Sequence, residues 1–382
     1  MSGIRDAAGG KILHIAAGNL YGGVESYLST LNRMRRLSPE MDSEFGLCFS
    51  GRLRSELTAG GAKVHDLGMV RLSRPWTVLE ARKRFDQTLK IARPDVVVMH
   101  GSWPHTVFGP IVRRCGLRLV LLLHNDVSIP RLLDRWSART APDLVLCNSR
   151  FTALGAGPLF PRTPIDVCYL PVSPPTGISN NVRNEVRTEL GTGSDTKVIL
   201  QSSRLERWKG QSVLLRALSH LRSAPTWECW IAGGPQRPSE QPYYDELLSE
   251  AESLDLTGRI RFLGQRGDVR RLLAAADVFC QPNVTPEPFG IAFVEALYAG
   301  LPVVTSNFGG GSEIVTAECG ILTRPGDERD VSHALQSLLN GNVSRSRFAA
   351  EGPIRAELLC DPARQMNKLR EILFGTSSNG LM

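Results

Sequence analysis

Two glutamates eight positions apart, Glu287 and Glu295, carry the clearest chemistry in this 382-residue chain. A carboxylate accepts two hydroxyl hydrogen bonds at once, which suits the vicinal diols of a sugar or a ribose. Pro286 and Pro288 bracket Glu287, and their fixed backbone predicts a rigid loop. From Phe289 onward the run Phe-Gly-Ile-Ala-Phe-Val-Glu-Ala-Leu-Tyr-Ala reads as an apolar helix, stopped by Gly300 and Pro302. The first N–H groups of a helix lack internal partners, and that end carries partial positive charge. Phe289, Gly290 and Ile291 are therefore candidates to hold a phosphate. A second stretch, Ser203-Arg-Leu-Glu-Arg-Trp-Lys-Gly210, follows a strand and opens a helix at Gln211. Arg204 and Lys209 there form a cationic site that fits a diphosphate. The competing reading is a helix-start acid, a solvated helix acid and solvated basic side chains. The apolar neighbours of Glu295 (Phe293, Val294, Ala296, Leu297) argue against a polar surface row.

Positioning such groups takes rigid elements ending at a common edge. Lys11–Ala16 reads as a first strand that runs into Gly18-Asn-Leu-Tyr-Gly-Gly-Val-Glu25 and a helix with Val24, Tyr27, Leu28 and Leu31 on one face. A strand, a glycine turn and a helix let backbone approach a phosphate or sugar, so Gly22 and Gly23 are candidate contacts. A plain strand–helix turn is the alternative, and the spacing is not a dinucleotide fingerprint. Strands are predicted at 45–49, 63–67, 95–100, 117–124 and 143–147, with helical patterns between most of them. Near-continuous apolar strands alternating with helices mean a parallel sheet covered on both faces. Ligands of such sheets sit beyond the carboxyl ends of the strands. His100 and His124 stand at two of those ends. A neutral imidazole at His124 could donate to a sugar hydroxyl or orient an incoming one; His100 and His105 are weaker candidates for an acceptor pocket. After a Pro/Gly/Ser/Asn-rich linker at 170–181 the alternation restarts, with strands at 197–202, 259–264, 276–282 and 301–306, and a strand into a tight turn at 227–235.

These motifs, in this order over about residues 11–374, resemble the retaining glycosyltransferases of family 4. Gly22-Gly-Val-Glu25 is similar to that family's G-G-x-E turn, and Ser203-Arg-Leu through Lys209-Gly210 to its G-R-L…K-G motif, with Ser203 in place of glycine. Glu287 and Glu295 resemble its E-x7-E pair, and Cys319-Gly-Ile-Leu-Thr-Arg-Pro-Gly-Asp327 its G-hydrophobic-hydrophobic-x-x-P-G-D turn. The resemblance implies an α/β GT-B fold: two Rossmann-like, doubly wound parallel-sheet domains with the active site in the cleft between them. It implies an acceptor-binding domain at 1–178, a nucleotide-sugar donor domain at 179–355, and a C-terminal helix at 356–382 crossing back to the first, ending in a frayed tail. The implied activity is transfer of a sugar, of the hexosyl type, from a UDP- or GDP-sugar to a hydroxyl on a carbohydrate or lipid-linked acceptor, with retention. The setting would be cell-surface polysaccharide, lipopolysaccharide or glycolipid synthesis. Arg204 and Lys209 would hold the diphosphate, Glu287 the sugar hydroxyls and Glu295 the ribose. His124 would lie against donor sugar and acceptor. The loop of Arg266 would lie against the base. No metal and no cofactor beyond the co-substrate are implied, and front-face attack leaves no protein nucleophile. A sugar-nucleotide epimerase, a phosphorylase or a non-catalytic nucleotide-sugar-binding partner are the competing classes.

The bulk numbers fit two domains, since 382 residues exceed one comfortable core. No apolar run approaches the ~20 residues of a membrane span, and the N-terminus lacks a signal-peptide pattern. The eight cysteines are scattered singly, which reads as free thiols in a reducing, cytoplasmic setting and not as zinc sites or disulfides. Residues 1–178 hold 23 Lys+Arg against 14 Asp+Glu, and the remainder 22 against 24. No nucleic-acid motif accompanies the basic half, so an anionic lipid surface or acceptor is the leading reading, beside a simply solvated face. The helix around 71–90, with Arg71, Arg74, Arg82, Lys83, Arg84 and Lys90, could dock on an anionic membrane, but Val78, Ala81, Phe85 and Leu89 predict ordinary packing on the sheet.

Overall fold

The structure, a computed structural model, describes residues 9–18, 22–179, 181–221 and 226–375. The middle of the first glycine turn (19–21) and the tail read as frayed (376–382) lie outside the described residues. The chain divides into two compact units: 1–171 with 360–382, and 172–359. The division at 171/172 falls inside the Pro-rich linker.

In the first unit, seven strands form one parallel sheet: β1 (Gly10–Ala16), β2 (Met41–Leu47), β3 (Val64–Asp66), β4 (Val96–His100), β5 (Arg118–Leu123), β6 (Leu144–Cys147) and β7 (Ile165–Val167). Their order is β3-β2-β1-β4-β5-β6-β7. The central strands are mostly apolar because helices cover both faces, and all five residues of β4 are buried. One side of the sheet packs Leu13, Ile15, Val97, Met99, Leu119 and Leu121 against Phe85 and Phe108 of the covering helices. The helix Pro75–Ala92 buries Ala81, Phe85 and Leu89 there, as its apolar spacing predicts. β2 starts at Met41, four residues before the predicted strand, and ends at Leu47 instead of 49. Its polar start, Asp42-Ser-Glu44, hides it from a hydrophobicity reading. Glu44 is nonetheless buried, because Lys11, Lys63 and His65 all bond its carboxylate. β7 is a three-residue edge strand too short to carry a pattern.

The second unit has six parallel strands: β8 (Lys197–Ser202), β9 (Trp227–Ala232), β10 (Ile260–Gly264), β11 (Val278–Gln281), β12 (Val303–Ser306) and β13 (Gly320–Thr323). Their order is β10-β9-β8-β11-β12-β13. In both sheets the first strand is flanked by the second and the fourth, so strand order reverses at β1/β4 and at β8/β11. A crevice opens at such a switch point in doubly wound sheets. The last helix, Pro362–Phe374, belongs to the first unit. Arg118 fastens it by donating to the carbonyls of Leu373 (2.6 Å) and Ile372 (3.1 Å).

Candidate functional site

The second unit builds its polar cluster at the β8/β11 reversal. β8 ends at Ser202, and the chain turns through Arg204 to Lys209 before the helix Gln211–Ser219. Gly210 has φ +76°, and a Cβ there would run into the carbonyl oxygen of Pro282. Glycine thus lets the turn lie directly on the loop after β11. Val284 N–H donates to Trp208 C=O (2.9 Å) across the same contact. The result brings Lys209 Nζ to 2.6 Å from Glu287 Oε2, with both side chains about nine-tenths buried. The Lys209 ammonium also sits over the Trp208 ring, 4.0 Å from its centre.

Glu287 Oε2 receives two further bonds, from Asn283 Nδ2 (3.1 Å) and Gln281 Nε2 (3.2 Å). One carboxylate oxygen is therefore held by three donors, while Oε1 makes no hydrogen bond among the described residues. A buried carboxylate persists as an ion only when paired and hydrogen-bonded in this way. The backbone on the far side is fixed too: Gly310 N–H donates to Glu287 C=O (2.7 Å). Gln281 and Asn283 did not stand out in the sequence. Their signal is polarity where an apolar strand ends, in Cys280-Gln-Pro-Asn283.

The helix behind Glu287 runs Ile291–Tyr298, two residues later than predicted. Gly290 has φ +107°, a left-handed backbone that cannot belong to the helix, so Phe289 and Gly290 precede it. Glu295 lies in that helix, half-buried. With Tyr298, Ala299, Arg270, Leu273, Ser173 and Pro175 it lines a pocket. Arg204 stands at the end of β8, exposed, 3.1 Å from Glu206. Arg266 is forked onto Asp268 by two 2.7 Å bonds and reaches Glu189 at 3.0 Å. These partners hold its guanidinium more firmly protonated than usual.

In the first unit the corresponding reversal carries histidines. His124, directly after β5, is buried, and its Nε2 is 3.0 Å from His100 Nδ1 at the end of β4. His100 Nε2 is in turn 3.0 Å from Nδ1 of His14 in β1. Burial holds His14 and His124 down to about 3. It drives His100 well below the usual imidazole value, and the neighbouring rings repel a charge there as well. All three are neutral near pH 7. His105 is wholly buried and pairs with Ser137 Oγ at 2.7 Å, so the expected acceptor-pocket role has no open face of that ring. Gly22 precedes the helix Gly23–Arg33, and its N–H donates to Glu25 Oε2 (3.0 Å), while Gly23 faces open space.

Of the eight cysteines, seven are buried and Cys115 is exposed, all as free thiols. No described helix is long and apolar enough to cross a membrane.

Comparison with known proteins bears on both units. The glycosyl transferase 4-like domain matches residues 39–153, and glycosyl transferases group 1 matches residues 182–355. A GDP-mannose-dependent monoacylated alpha-(1-6)-phosphatidylinositol monomannoside mannosyltransferase of Corynebacterium glutamicum is 30% identical over 57% of this chain and 58% of its own length. A phosphatidyl-myo-inositol mannosyltransferase of Mycobacterium leprae is 40% identical over 38% of this chain and 37% of its own. The matched region thus spans about a third to three fifths of those relatives. In structure, Anabaena HepE, solved in complex with UDP and glucose, superposes with a TM-score of 0.85 over 95% of this chain and 99% of that one, at 24% identity. The fold is that of the GT-B glycosyltransferases, and with two successive family models covering most of its length, the chain belongs to the family 4-like glycosyltransferases.

Proposed function

We propose that this chain transfers a sugar from a nucleotide-diphosphate sugar to a hydroxyl acceptor, with retention at the anomeric carbon and without a metal ion. The observation that carries the reading is the Lys209–Glu287 pair, in which one carboxylate oxygen is saturated and the other is open beside a cation. Glu287 Oε1 would accept sugar hydroxyls. The Lys209 ammonium keeps donors beyond the one given to Glu287, and with Arg204 it would neutralise the diphosphate as it leaves. Negative charge gathers on that phosphate in an oxocarbenium-like transition state, so fixed cations there act where charge develops. Phe289, Gly290 and Ile291 would address the phosphate and sugar with backbone N–H groups. Glu295 would take the ribose, the Arg266 loop the base, and Gly22 and Gly23 the approach of the first unit's backbone. His124 would orient a sugar hydroxyl. No protein nucleophile is assigned.

A glycolipid acceptor is supported by the mannosyltransferase relatives, whose names specify phosphatidylinositol-based acceptors. The C. glutamicum relative uses GDP-mannose and HepE was solved with UDP, so both bases enter the test. A peripheral contact with anionic membrane is proposed on Trp76 and Leu79, exposed beside Arg71, Arg74 and Lys83. Flotation with anionic liposomes should show salt-sensitive binding that Trp76→Ala weakens. Binding indifferent to both salt and the substitution would remove this part.

Turnover of UDP- and GDP-sugars onto glycolipid acceptors, with EDTA present and product anomers read by NMR, tests the main reading. Retention is expected, with activity lost in Arg204→Ala and Lys209→Ala. Inversion, a strict metal requirement, or full activity in both variants would contradict it.

A further inference from the structure

Neutral histidines buried in a row need a reason to be there. His14 interrupts the apolar run Ile12-Leu-His-Ile-Ala16 in the middle of a strand, where a buried polar ring costs stability unless it is bonded. Its bond is to His100 on the adjacent strand β4, and His100 bonds His124 after the next strand, β5. The three rings follow one another at 5.2 and 5.3 Å between centres. Phe45 stacks on His14, and Tyr27 packs against both His100 and His124. No carboxylate or cation bonds any of the three rings among the described residues.

We propose that His14 and His100 are positioning residues that fix the ring tautomer of His124. This rests on the reading of His124 as the group that orients a sugar hydroxyl. Each link joins the Nδ1 of one ring to the Nε2 of the next, and each link needs one N–H and one lone pair. A neutral imidazole has one of each. Only two arrangements satisfy both links. In one, all three rings carry hydrogen on Nδ1 and His124 presents a donor outward. In the other, all three carry it on Nε2 and His124 presents an acceptor at Nδ1. Passing from the first to the second takes up one proton at His14 Nε2 and shifts one across each link. It releases one from His124 Nδ1, and no proton is gained or lost overall. The donor or acceptor character of His124 is thus set two rings away, at His14, and no charged imidazolium persists in either arrangement.

Two-dimensional long-range 1H–15N spectra of the full chain labelled at histidine, at pH 7.5, read tautomers directly. The three rings, assigned by single substitutions, should be neutral and carry hydrogen on the same nitrogen. His14→Phe removes the far end of the row without touching His124. It should leave His124 as a mixture of tautomers and lower kcat about tenfold, with the donor KM unchanged. Opposite tautomers in neighbouring rings, a protonated ring at pH 7.5, or an unaltered His124 tautomer in His14→Phe would overturn the inference. If His14→Phe does not fold, the spectrum of the unsubstituted chain decides alone. Matched tautomers with full turnover in His124→Ala would instead sink the hydroxyl-orienting role of His124.

Discussion

The two sheets reverse strand order at the same topological place, and each builds a buried polar cluster there, but the clusters are electrically opposite. At β1/β4 and its neighbour β5 the first unit links three neutral rings. At β8/β11 the second unit sets an ammonium against a carboxylate. The difference follows from what each must bond. Neutral rings satisfy one another at little desolvation cost and keep the first unit's edge uncharged. An ion pair brings full charges under cover, and here three donors on one oxygen of Glu287 compensate them. One doubly wound plan therefore builds two kinds of polar cluster, decided by single residues in or just after β1, β4 and β5 in one sheet and after β8 and β11 in the other.

The largest expected effect breaks the charged side. Lys209→Ala leaves the Glu287 carboxylate buried without its cation, at a cost of about 3–5 kcal/mol in stability. It should also lower kcat/KM on the order of 10²–10³-fold. Denaturant unfolding and steady-state kinetics read the two. An equal loss of stability in His14→Phe would erase the contrast.

Acid should act on the neutral side. The folded rings of His14 and His124 titrate at about 3, against 6.5 for an ordinary imidazole. Below about pH 6.5 the unfolded chain binds protons that the folded chain does not. Their contribution is therefore whole above that pH and falls as pH drops toward 3, by about 2 kcal/mol for each ring at pH 5. Melting at pH 7.5 and 5 measures it, and His14→Phe should flatten the dependence.

The contact that aims Lys209 gives a smaller effect. Gly210→Ala forces a side chain into a left-handed backbone and against the Pro282 carbonyl, so a loss of about 1–3 kcal/mol is expected by thermal unfolding. Arg266→Ala, which removes a partly exposed ion pair, should cost under about 1 kcal/mol and raise the donor KM only slightly.

Alternation of apolar strands and helices made both sheets legible in the sequence, because strands covered on both faces are mostly apolar. The turns of the candidate site were legible where chemistry and spacing coincide, as in Arg204 to Gly210 and Thr285 to Glu295. Four things were not. The polar start of β2 carries no hydrophobic pattern and is buried only by partners from other strands. The helix start at Ile291 depends on the left-handed Gly290. The histidine row depends on strand order: His14, His100 and His124 are far apart in the chain and meet only because β1, β4 and β5 are neighbours. Gln281 and Asn283, which bond Glu287 a few residues further on, offer no signal beyond polarity where an apolar strand ends.

The most direct measurement is titration calorimetry of UDP- and GDP-sugars with EDTA present, on the unsubstituted chain and on Lys209→Ala. One donor should bind without metal, and its affinity should collapse in the variant. Binding of equal strength in both proteins, or binding that appears only with a divalent ion, would contradict the assignment of the Lys209–Glu287 cluster as the donor site.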